Sequence, residues 1–447
     1  MSVVDFVGPL VRAGLGADLP VRLRCWDGSE IGPLGAPVQL TFTSARALRR
    51  VLWAPNHLGF ARAYVSGDLL IDGDLMFGLS ALERIADPEL GPGVVVNMAM
   101  RRALVMAALR VGAVGPPPRP PAEEAKLGGL RHSRNRDALA IAHHYDVGNE
   151  FYELVLGPSM TYSCAYFERD HGPESGPASR SASGPASGLE EAQQAKNDLV
   201  ARKLGLTPGM RVLDVGCGWG SFVCNAARNY GVQAVGITLS SEQAEYARRR
   251  ADDDGVGDRV EIRIQDYRDV QDGPFDAIAS IGMSEHVGKA MLPTYSKELF
   301  RLLRPGGRLL NHAISRRPGP SDGFSRTSFI DRYVFPDGEL QPMATMVEAM
   351  EEVGFEVRDV ESLREHYALT LRAWVANLEA SWDRAVELTS PGRARVWRLY
   401  MAGSALGFEA NRLGVNQVLA VRPEPRGASG MPRTRASLVA PAGIAGS

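Results

Sequence analysis

The segment Arg211–Gly220 constrains the fold of this chain more than any other stretch. It begins with four residues, Val212–Val215, that have the character of a short buried strand. Three glycines at alternate positions then form a turn, and a helical pattern starts at Ser221. Strand, glycine turn and helix make the first unit of a doubly wound sheet, whose ligands bind beyond the carboxyl ends of the strands. Glycines let the backbone approach a ligand closely, and a helix N-terminus offers free N–H groups.

The next predicted strand narrows the choice of ligand. An NAD-binding fold presents an Asp or Glu to the ribose about twenty residues after the glycine turn. Here the strand Ala234–Thr238 is followed by Leu239-Ser-Ser-Glu-Gln243, which offers hydroxyl and amide groups for a polar, uncharged contact. This pattern favours S-adenosylmethionine. NAD and a purely structural glycine turn are the alternatives, because a short glycine motif alone is weak evidence.

Helices and strands alternate regularly from Leu189 onward. Helical patterns cover 189–203, 222–230, 242–252, 295–303, 343–353, 364–388 and 392–411, and strand patterns cover 212–215, 234–237, 260–264, 275–281, 307–312, 355–360 and 415–421. This order predicts an α/β fold, a doubly wound and mostly parallel sheet with added helices. Residues 1–122 predict a separate, smaller α+β domain.

Composition marks the boundaries between these parts. Pro116–Pro121 cannot continue a helix, so we place a linker at 123–136, before the second domain at 137–422. Residues 171–188 are too poor in apolar side chains to pack and predict a mobile loop, and 423–447 predict a disordered tail.

Charge and cysteine content exclude several classes of protein. The 447 residues carry a formal net charge of −2, which gives no reason to expect nucleic acid. The apolar runs are shorter than the roughly 18 residues of a membrane span, and the first residues lack the basic start of a signal peptide. The four cysteines show neither metal-ligand nor disulfide spacing, so no metal is predicted. We therefore expect a cytoplasmic protein whose membrane contact is peripheral.

One segment predicts such contact. Val94–Val111 mixes methionine and leucine with Arg101, Arg102 and Arg110. A basic amphipathic helix of this kind binds anionic lipid surfaces. The alternative is an ordinary helix that packs its apolar face inward.

Three further stretches place polar groups near the predicted ligand. Aromatic, hydroxyl and thiol groups crowd 143–152 and 160–167, which we interpret as a lid over the strand ends or as an aromatic packing segment. Glu285 and His286 follow the fourth strand of the sheet, and His312 ends the fifth. Each position alone suits an exposed charge or a structural hydrogen bond, but all of them face the ligand side of a doubly wound sheet.

These stretches together resemble the cyclopropane fatty acid synthase family, which includes the mycolic acid cyclopropane synthases. The matching segments are 144–146, 161–167, 213–220, 238–240 with Gln243, 282–288, 312–314, 366–371 and 416–417, and they span nearly all of 137–422. Residues 1–122 are similar to the additional N-terminal domain of the longer members. The resemblance implies a class I, Rossmann-like methyltransferase that transfers a one-carbon unit from S-adenosylmethionine to the double bond of a phospholipid acyl chain.

The resemblance also implies the residues of the site. It places a bicarbonate ion, as general base, among Cys164, Glu285, His312, Ile314 and Tyr367. The implied cofactor contacts are Tyr162, Ser163, Gly216, Gly218, Gly220, Thr238, Leu239, Gln243, Asp266 and Tyr267. Ser404 stands where older descriptions of the family assign an active cysteine, and we expect that cysteine to be dispensable because the other set is intact.

Two other functions compete with this one. A methyltransferase acting on a small soluble molecule would share the cofactor half and would not need the Cys164, Glu285, His312 and Tyr367 set. A non-catalytic lipid-binding protein would be expected to have lost one of those residues. Within the lipid-modifying class, the cyclopropane and methylene-branched products, a reductase acting on the latter, and a homo-oligomer all stay open.

Overall fold

The structure is a computed structural model that describes residues 2–5, 7–8, 12, 21–54, 56–86, 106, 109–110, 112–125, 147–168, 185–319, 328–336 and 338–439. It divides into two compact units. The first comprises Met1–Lys126, Ser325–Val334 and Trp382–Leu406, and the second Leu127–Phe324, Phe335–Ser381 and Gly407–Ser447. Two segments that the sequence analysis placed in the second domain therefore group with the first. Across the described residues, no helix is long and apolar enough to cross a bilayer.

The first unit contains a four-stranded sheet. Its strands are β1 (Arg22–Arg24), β2 (Glu30–Ile31), β3 (Val38–Phe42) and β4 (Leu69–Gly73), in the order β2-β1-β3-β4. Only β1 and β3 run parallel. The helices of this unit are Ala45–Trp53, His57–Val65, Leu75–Ala86, Phe329–Tyr333, Trp382–Leu388 and most of Pro391–Glu409. The predicted smaller α+β domain is thus present.

Ion pairs on buried carboxylates hold the segments of this unit together. Glu124 accepts two hydrogen bonds from the Arg62 guanidinium, at 2.8 and 2.6 Å, and a third from the Tyr333 hydroxyl at 3.0 Å. Since Tyr333 comes from the later part of the chain, this contact explains why Ser325–Val334 groups with the first unit. The proline segment before residue 123 is held as well, because the Arg50 guanidinium donates to the carbonyl oxygen of Arg119 at 2.8 Å.

The second unit is built on a seven-stranded sheet in the order β10-β11-β9-β8-β5-β6-β7. The strands are β5 (Arg211–Val215), β6 (Gln233–Thr238), β7 (Val260–Ile264), β8 (Phe275–Ile281), β9 (Leu303–Arg316), β10 (Glu356–Ser362) and β11 (Leu413–Val421). The five neighbouring strands β9, β8, β5, β6 and β7 are parallel, whereas β11 runs antiparallel to both of its neighbours. This confirms the predicted doubly wound, mostly parallel sheet.

Helices cover the sheet of the second unit. They are Asn149–Leu156, Pro185–Leu204, Ser221–Tyr230, Ser241–Asp253, Leu292–Leu302, Met343–Glu351, Arg364–Ala380 and the short Ala436–Val439. Two apolar clusters, one around Val223 and Ala277 and the other around Ile278 and Leu299, are fully buried. The alternation of helix and strand in the sequence therefore reports two helical layers with a sheet between them.

The structure corrects three boundaries. The helical pattern predicted over 364–388 is two helices, because the first ends at Ala380 and the second begins at Trp382. The helix predicted from Leu189 begins at Pro185, inside the predicted loop 171–188. The tail predicted to be disordered from 423 is ordered through 439, since Leu438 is buried and Met431 packs against the same cluster.

Some predicted features lie outside the described residues. These are most of Val94–Val111, the linker from Lys126 onward, His143–Asp146 and residues 171–184 of the predicted loop.

Candidate functional site

A cleft opens at the carboxyl ends of β5, β6 and β8. Nine of the ten residues predicted to contact the cofactor line it, namely Tyr162, Ser163, Gly216, Gly218, Thr238, Leu239, Gln243, Asp266 and Tyr267. They come from the strand ends and from the segment 160–163. The cleft therefore occupies the place that a doubly wound sheet provides for a nucleotide-like ligand.

The three glycines after β5 have different environments. A Cβ added to Gly218, whose φ is +53°, would meet no protein atom within 4 Å and would project into open space beside the cleft. A Cβ on Gly220 would lie 3.0 Å from the Cβ of Ala247, on the helix Ser241–Asp253. Gly220 is not among the residues that line the cleft and packs against Ala247, so its contact with the cofactor stays a prediction.

Uncharged polar groups follow β6, as the sequence predicts. The Thr238 hydroxyl donates to Oε1 of Gln243 at 2.8 Å, and Ser240 caps the following helix by accepting from the Gln243 N–H at 3.3 Å. After the next strand, β7, Asp266 pairs with Arg268. The rim at β6 is thus pre-ordered by short local hydrogen bonds.

The cleft also contains a buried lysine and a buried aspartate that the sequence analysis did not select. Lys196 is 1% exposed and donates to the Ser163 hydroxyl at 3.3 Å. Burial lowers its pKa to about 8, against the opposing charge of Asp214. Burial likewise raises the pKa of Asp214 to about 7, and Asp214 Oδ1 has no hydrogen-bond partner in the described structure. The sequence signal was a lysine on the apolar face of a helix, between the buried Ala192 and Leu199.

The predicted chemistry residues lie around the end of β8 and on β9. The last backbone hydrogen bond there runs from Gly282 N–H to the His312 carbonyl, because β8 ends while β9 continues. Beyond the end of β8, where β9 has no strand partner on this side, the Ile314 N–H donates to the Glu285 carboxylate at 2.7 Å. Its second oxygen, Oε2, is buried and has no partner among the described residues. Burial raises the pKa of Glu285 to about 7.

His312 is buried as a neutral side chain. It is 2% exposed, and burial, reinforced by the charges of Lys196 and Lys203, lowers its pKa to about 3. Its Nδ1 lies 3.2 Å from Nε2 of Gln417, and its own Nε2 is buried without a partner in the part of the chain that the structure describes. Glu285 and His312 therefore each present one unsatisfied polar atom.

Cys164 and Tyr367 both contact the backbone carbonyl of Leu363, at the start of the helix Arg364–Ala380. The Cys164 thiol lies 3.6 Å from the carbonyl oxygen of Leu363, and the Tyr367 N–H donates to the same oxygen at 3.1 Å. Burial raises the pKa of Cys164, so the side chain is a neutral thiol. The Tyr367 ring packs 4.7 Å from that of Phe408.

These predicted residues do not line the cofactor cleft itself. Glu285 and Ile314 border a smaller pocket, and the cleft is lined instead by Met283 and His286, which flank Glu285 in the chain. Cys164 directly follows the cleft residue Ser163. Ser404 is partly buried in the helix Pro391–Glu409, in a segment of the first unit, whereas the predicted set lies in the second.

Comparison with known proteins identifies the family. The model of the mycolic acid cyclopropane synthetase family matches residues 132–418. A probable fatty acid methyltransferase of Mycobacterium tuberculosis is 42% identical over 423 residues, which cover 92% of this chain and 93% of that protein. The cyclopropane-fatty-acyl-phospholipid synthase of Escherichia coli is 36% identical over 295 residues, or 66% of this chain and 70% of that protein.

A solved structure agrees with these relatives. The mycolic acid cyclopropane synthase CmaA1, complexed with SAH and CTAB, is 34% identical with a TM-score of 0.56, and the match covers 63% of this chain and 97% of that chain. The fold, the cleft and the relatives point to one conclusion. The chain belongs to the mycolic acid cyclopropane synthetase family and is an S-adenosylmethionine-dependent methyltransferase of the cyclopropane-fatty-acyl-phospholipid synthase type that modifies lipid acyl chains.

Proposed function

We propose that this enzyme transfers a one-carbon unit from S-adenosylmethionine to the double bond of an unsaturated acyl chain carried by a phospholipid. The observation that carries this proposal is the pair of buried, unsatisfied atoms Glu285 Oε2 and His312 Nε2. A buried polar atom without a partner is a place where a ligand, an ion or a water can complete the bonding. Other described residues also carry such atoms, and these two are set apart because both belong to the predicted chemical set. A methyltransferase that alkylates an amine or hydroxyl of a soluble substrate has no need of this second site.

The cleft fits S-adenosylmethionine by shape and charge. Gly218 leaves room for close backbone approach, and Thr238 and Gln243 offer uncharged contacts at the end of β6. Lys196 and Asp214 place opposite charges in the same cleft, which suits the carboxylate and ammonium of the cofactor's amino-acid end. Bound here, the cofactor supplies an activated sulfonium methyl group. The chain's own contribution is to hold that group next to the end of β8.

The second site fits a small anion such as bicarbonate. The neutral His312 ring carries one N–H donor, and a carboxyl group with a pKa near 7, as at Glu285, exists in both protonation states at neutral pH. The Cys164 thiol, which lies against the Ala165 and Leu363 carbonyl oxygens, would have to turn from them to donate to the anion. Tyr367, whose backbone N–H donates to the same Leu363 carbonyl that the Cys164 thiol contacts, adds a phenol to the proposed set. Bound among them, bicarbonate supplies the base that removes a proton from the acyl chain. Glu285 and His312 would hold and orient it.

The second contribution of the chain is to exclude water from the reacting groups. A cis alkene is a weak nucleophile, so it must be pressed against the methyl donor away from water. Aromatic rings surround the cleft segment, with Tyr162 packed 5.4 Å from Trp374 and Tyr152 packed 4.7 Å from Trp219. Attack of the double bond on the methyl group breaks the sulfur–methyl bond, releases S-adenosylhomocysteine and leaves a cation on the chain carbon next to the new methyl group. Proton loss from that methyl group with ring closure gives a cyclopropane, whereas a 1,2-hydride shift to the cationic carbon followed by proton loss from the same methyl group gives a methylene branch. A methylene product is the chemistry that a reductase would convert to a mid-chain methyl group.

The first unit carries features suited to a lipid surface, so we assign it peripheral binding to anionic bilayers. Trp53, Leu109 and Val114 are 58%, 53% and 51% exposed. Trp53 donates to the Gly115 carbonyl at 2.9 Å, which places it beside Val114, and Arg49 binds the adjoining carbonyl of Ala113. Exposed apolar side chains among arginines suit an anionic bilayer, where each engaged basic residue contributes about 1 kcal/mol.

Lipid analysis tests the proposal directly. The enzyme would be incubated with S-adenosylmethionine and vesicles of an unsaturated anionic phospholipid, and the recovered acyl chains analysed by proton and carbon NMR. Cyclopropane or methylene resonances are expected, and NMR is needed because the two products have equal mass. Omission of bicarbonate should lower turnover, and its addition should restore it. Absence of any new acyl carbon would instead favour a soluble substrate.

Vesicle sedimentation tests the surface assignment. Trp53→Ala should weaken binding to anionic vesicles, because burial of that ring is lost. The matched control is Leu34→Ala, which removes another highly exposed apolar side chain of the same unit, 83% exposed on the turn before β3. Equal losses in both variants would contradict a specific role for the Trp53 surface.

A further inference from the structure

A buried row of polar side chains leads from the edge of the sheet to His312. The register pairs Glu361 of β10 with Gln417 of β11, and Gln417 with His312 of β9. Lys203, from the helix Pro185–Leu204, lies against this row and contacts Glu361 and Gln417. Gln417 and Lys203 are both fully buried. Directly opposed residues on neighbouring strands bring their side chains into contact, so the row is fixed by strand pairing.

Lys203 determines which way the Gln417 amide points. Its ammonium has only donors, and it lies 2.8 Å from Oε1 of Gln417. The reversed amide would place an NH2 group against the ammonium, donor against donor. The ammonium is itself held by Glu361 and, at 3.4 Å, by Asp359, which Arg435 also binds at 2.7 Å. A buried lysine without such partners is strongly unfavourable, and the two carboxylates therefore keep it in place.

The amide orientation then determines the tautomer of His312. With Oε1 turned toward Lys203, the NH2 group of Gln417 faces His312 Nδ1 at 3.2 Å. Nδ1 must accept this hydrogen bond, and a neutral imidazole that accepts at one nitrogen carries its proton on the other. His312 Nε2 is therefore an N–H donor, and it is the atom that has no partner among the described residues.

We infer that Gln417, oriented by Lys203, is a positioning residue that locks His312 in the Nε2–H tautomer and so presents a fixed hydrogen-bond donor to the anion that completes the site. The role of that donor in turnover rests on the proposed function, whereas the tautomer itself does not. The opposite tautomer would present a lone pair at Nε2, which repels an anion. Through this row, the edge strand β10 and its neighbour β11 contribute to the proposed chemical site.

Nitrogen NMR of the full-length protein tests the tautomer. Histidine labelled with ¹⁵N in the ring would be incorporated, and the His312 signals assigned, among the eight histidines, by their loss in His312→Gln. The wild type should show a protonated Nε2 and an unprotonated Nδ1. In Gln417→Glu the new carboxylate accepts from Nδ1, so the proton should move to Nδ1. A protonated Nδ1 in the wild type, or an unchanged pattern in Gln417→Glu, would overturn the inference.

Lys203→Met is the second variant and keeps the test decisive if Gln417→Glu does not fold. It frees the Gln417 amide to rotate, so the two ring nitrogens should move toward averaged shifts, and unchanged shifts would again refute the inference. Asn416→Ala is the matched control. It removes the neighbouring hydrogen bond to the Ser315 hydroxyl, at 2.8 Å, and should leave the His312 pattern as it is. An equal change in this control would show a general disturbance of β11 and would count against Gln417.

Turnover separates this inference from the proposed function. Gln417→Glu should lower turnover on phospholipid vesicles about 10²-fold, the usual loss for one positioned donor, with unchanged affinity for S-adenosylmethionine. The bicarbonate concentration needed for half-maximal turnover should rise about 10-fold or more. A moved proton with normal turnover would overturn the positioning role and leave the lipid activity standing. A correct tautomer in an enzyme that never alters lipids would instead defeat the proposed function alone.

Discussion

The cofactor cleft and the buried site around His312 are adjacent but built in different ways. The cleft draws on consecutive short motifs at the ends of parallel strands, and Gly216 and Gly218 are among the residues that line it. The buried site draws on residues far apart in the chain, such as Cys164, Glu285, His312 and Gln417, and includes an antiparallel strand. At the rim of the cleft, Thr238 and Asp266 have local partners. Glu285 and His312 keep unsatisfied atoms, as does Asp214 inside the cleft. The cofactor cleft thus depends on short local motifs, whereas the proposed chemical site depends on residues that come together only in the assembled sheet.

The strongest test of this contrast removes the unsatisfied atoms. Glu285→Gln and His312→Ala should each reduce turnover by about 10²–10⁴, because a positioned proton acceptor or donor is lost. Affinity for S-adenosylmethionine, measured by calorimetry, should stay close to that of the wild type because neither side chain lines the cleft. Near-normal turnover in both folded variants would remove the basis for a separate chemical site.

The raised pKa of Glu285 predicts a pH-dependent cost to stability. Burial raises this pKa to about 7 from the ordinary 4.5, so the folded protein binds the proton more tightly than the unfolded chain between these values. The free energy of unfolding should therefore fall as pH rises from 4.5 to 7, by on the order of 2–3 kcal/mol from this group. Glu285→Gln should flatten that fall in urea titrations. An identical pH dependence in the variant would contradict the burial of this carboxyl.

Two glycine variants separate binding from packing on the cleft side. Gly218→Ala should weaken S-adenosylmethionine binding by about 10-fold, because its Cβ projects into the open space where the ligand approaches. Gly220→Ala is the matched control, because its Cβ would press on Ala247. Compared with Gly218→Ala, it should lower the unfolding midpoint more and the affinity for S-adenosylmethionine less. Calorimetry and thermal unfolding of the two variants would show the crossed pattern. Loss of affinity in Gly220→Ala alone would confirm it as a contact residue.

The smallest effect is expected at Tyr367. Tyr367→Phe keeps the ring that packs on Phe408 and removes one hydroxyl. Loss of a single hydrogen bond of roughly 0.5–1.5 kcal/mol should lower turnover about 3- to 10-fold without changing the unfolding midpoint. A loss as large as that of His312→Ala would show that the phenol is a principal donor.

The same contrast explains how much could be predicted from the sequence. Residues 211–220 and 238–243 predict the sheet and the cleft because strand, turn and cap signals are local. Lys196 and Lys203 were missed, although two lysines seven residues apart on the apolar face of one helix were a visible signal. The row from Glu361 to His312 depends on the register of three strands, and register is a tertiary property. The regrouping of 382–406 with the first unit likewise follows from packing rather than from any local pattern.

The late position of β11 in the chain bears on the order in which activities arise during synthesis. Every residue that lines the cofactor cleft precedes position 287, whereas the strand that orients His312 begins at Leu413. The ribosome has therefore synthesised every residue that lines the cleft more than a hundred residues before it reaches the strand that completes the proposed chemical site. Fragments cut short before Leu413 leave the ammonium of Lys203 without its glutamine partner and the imidazole of His312 without its fixed proton. Such fragments contain every residue that lines the cleft and lack the strand that completes the proposed chemical site.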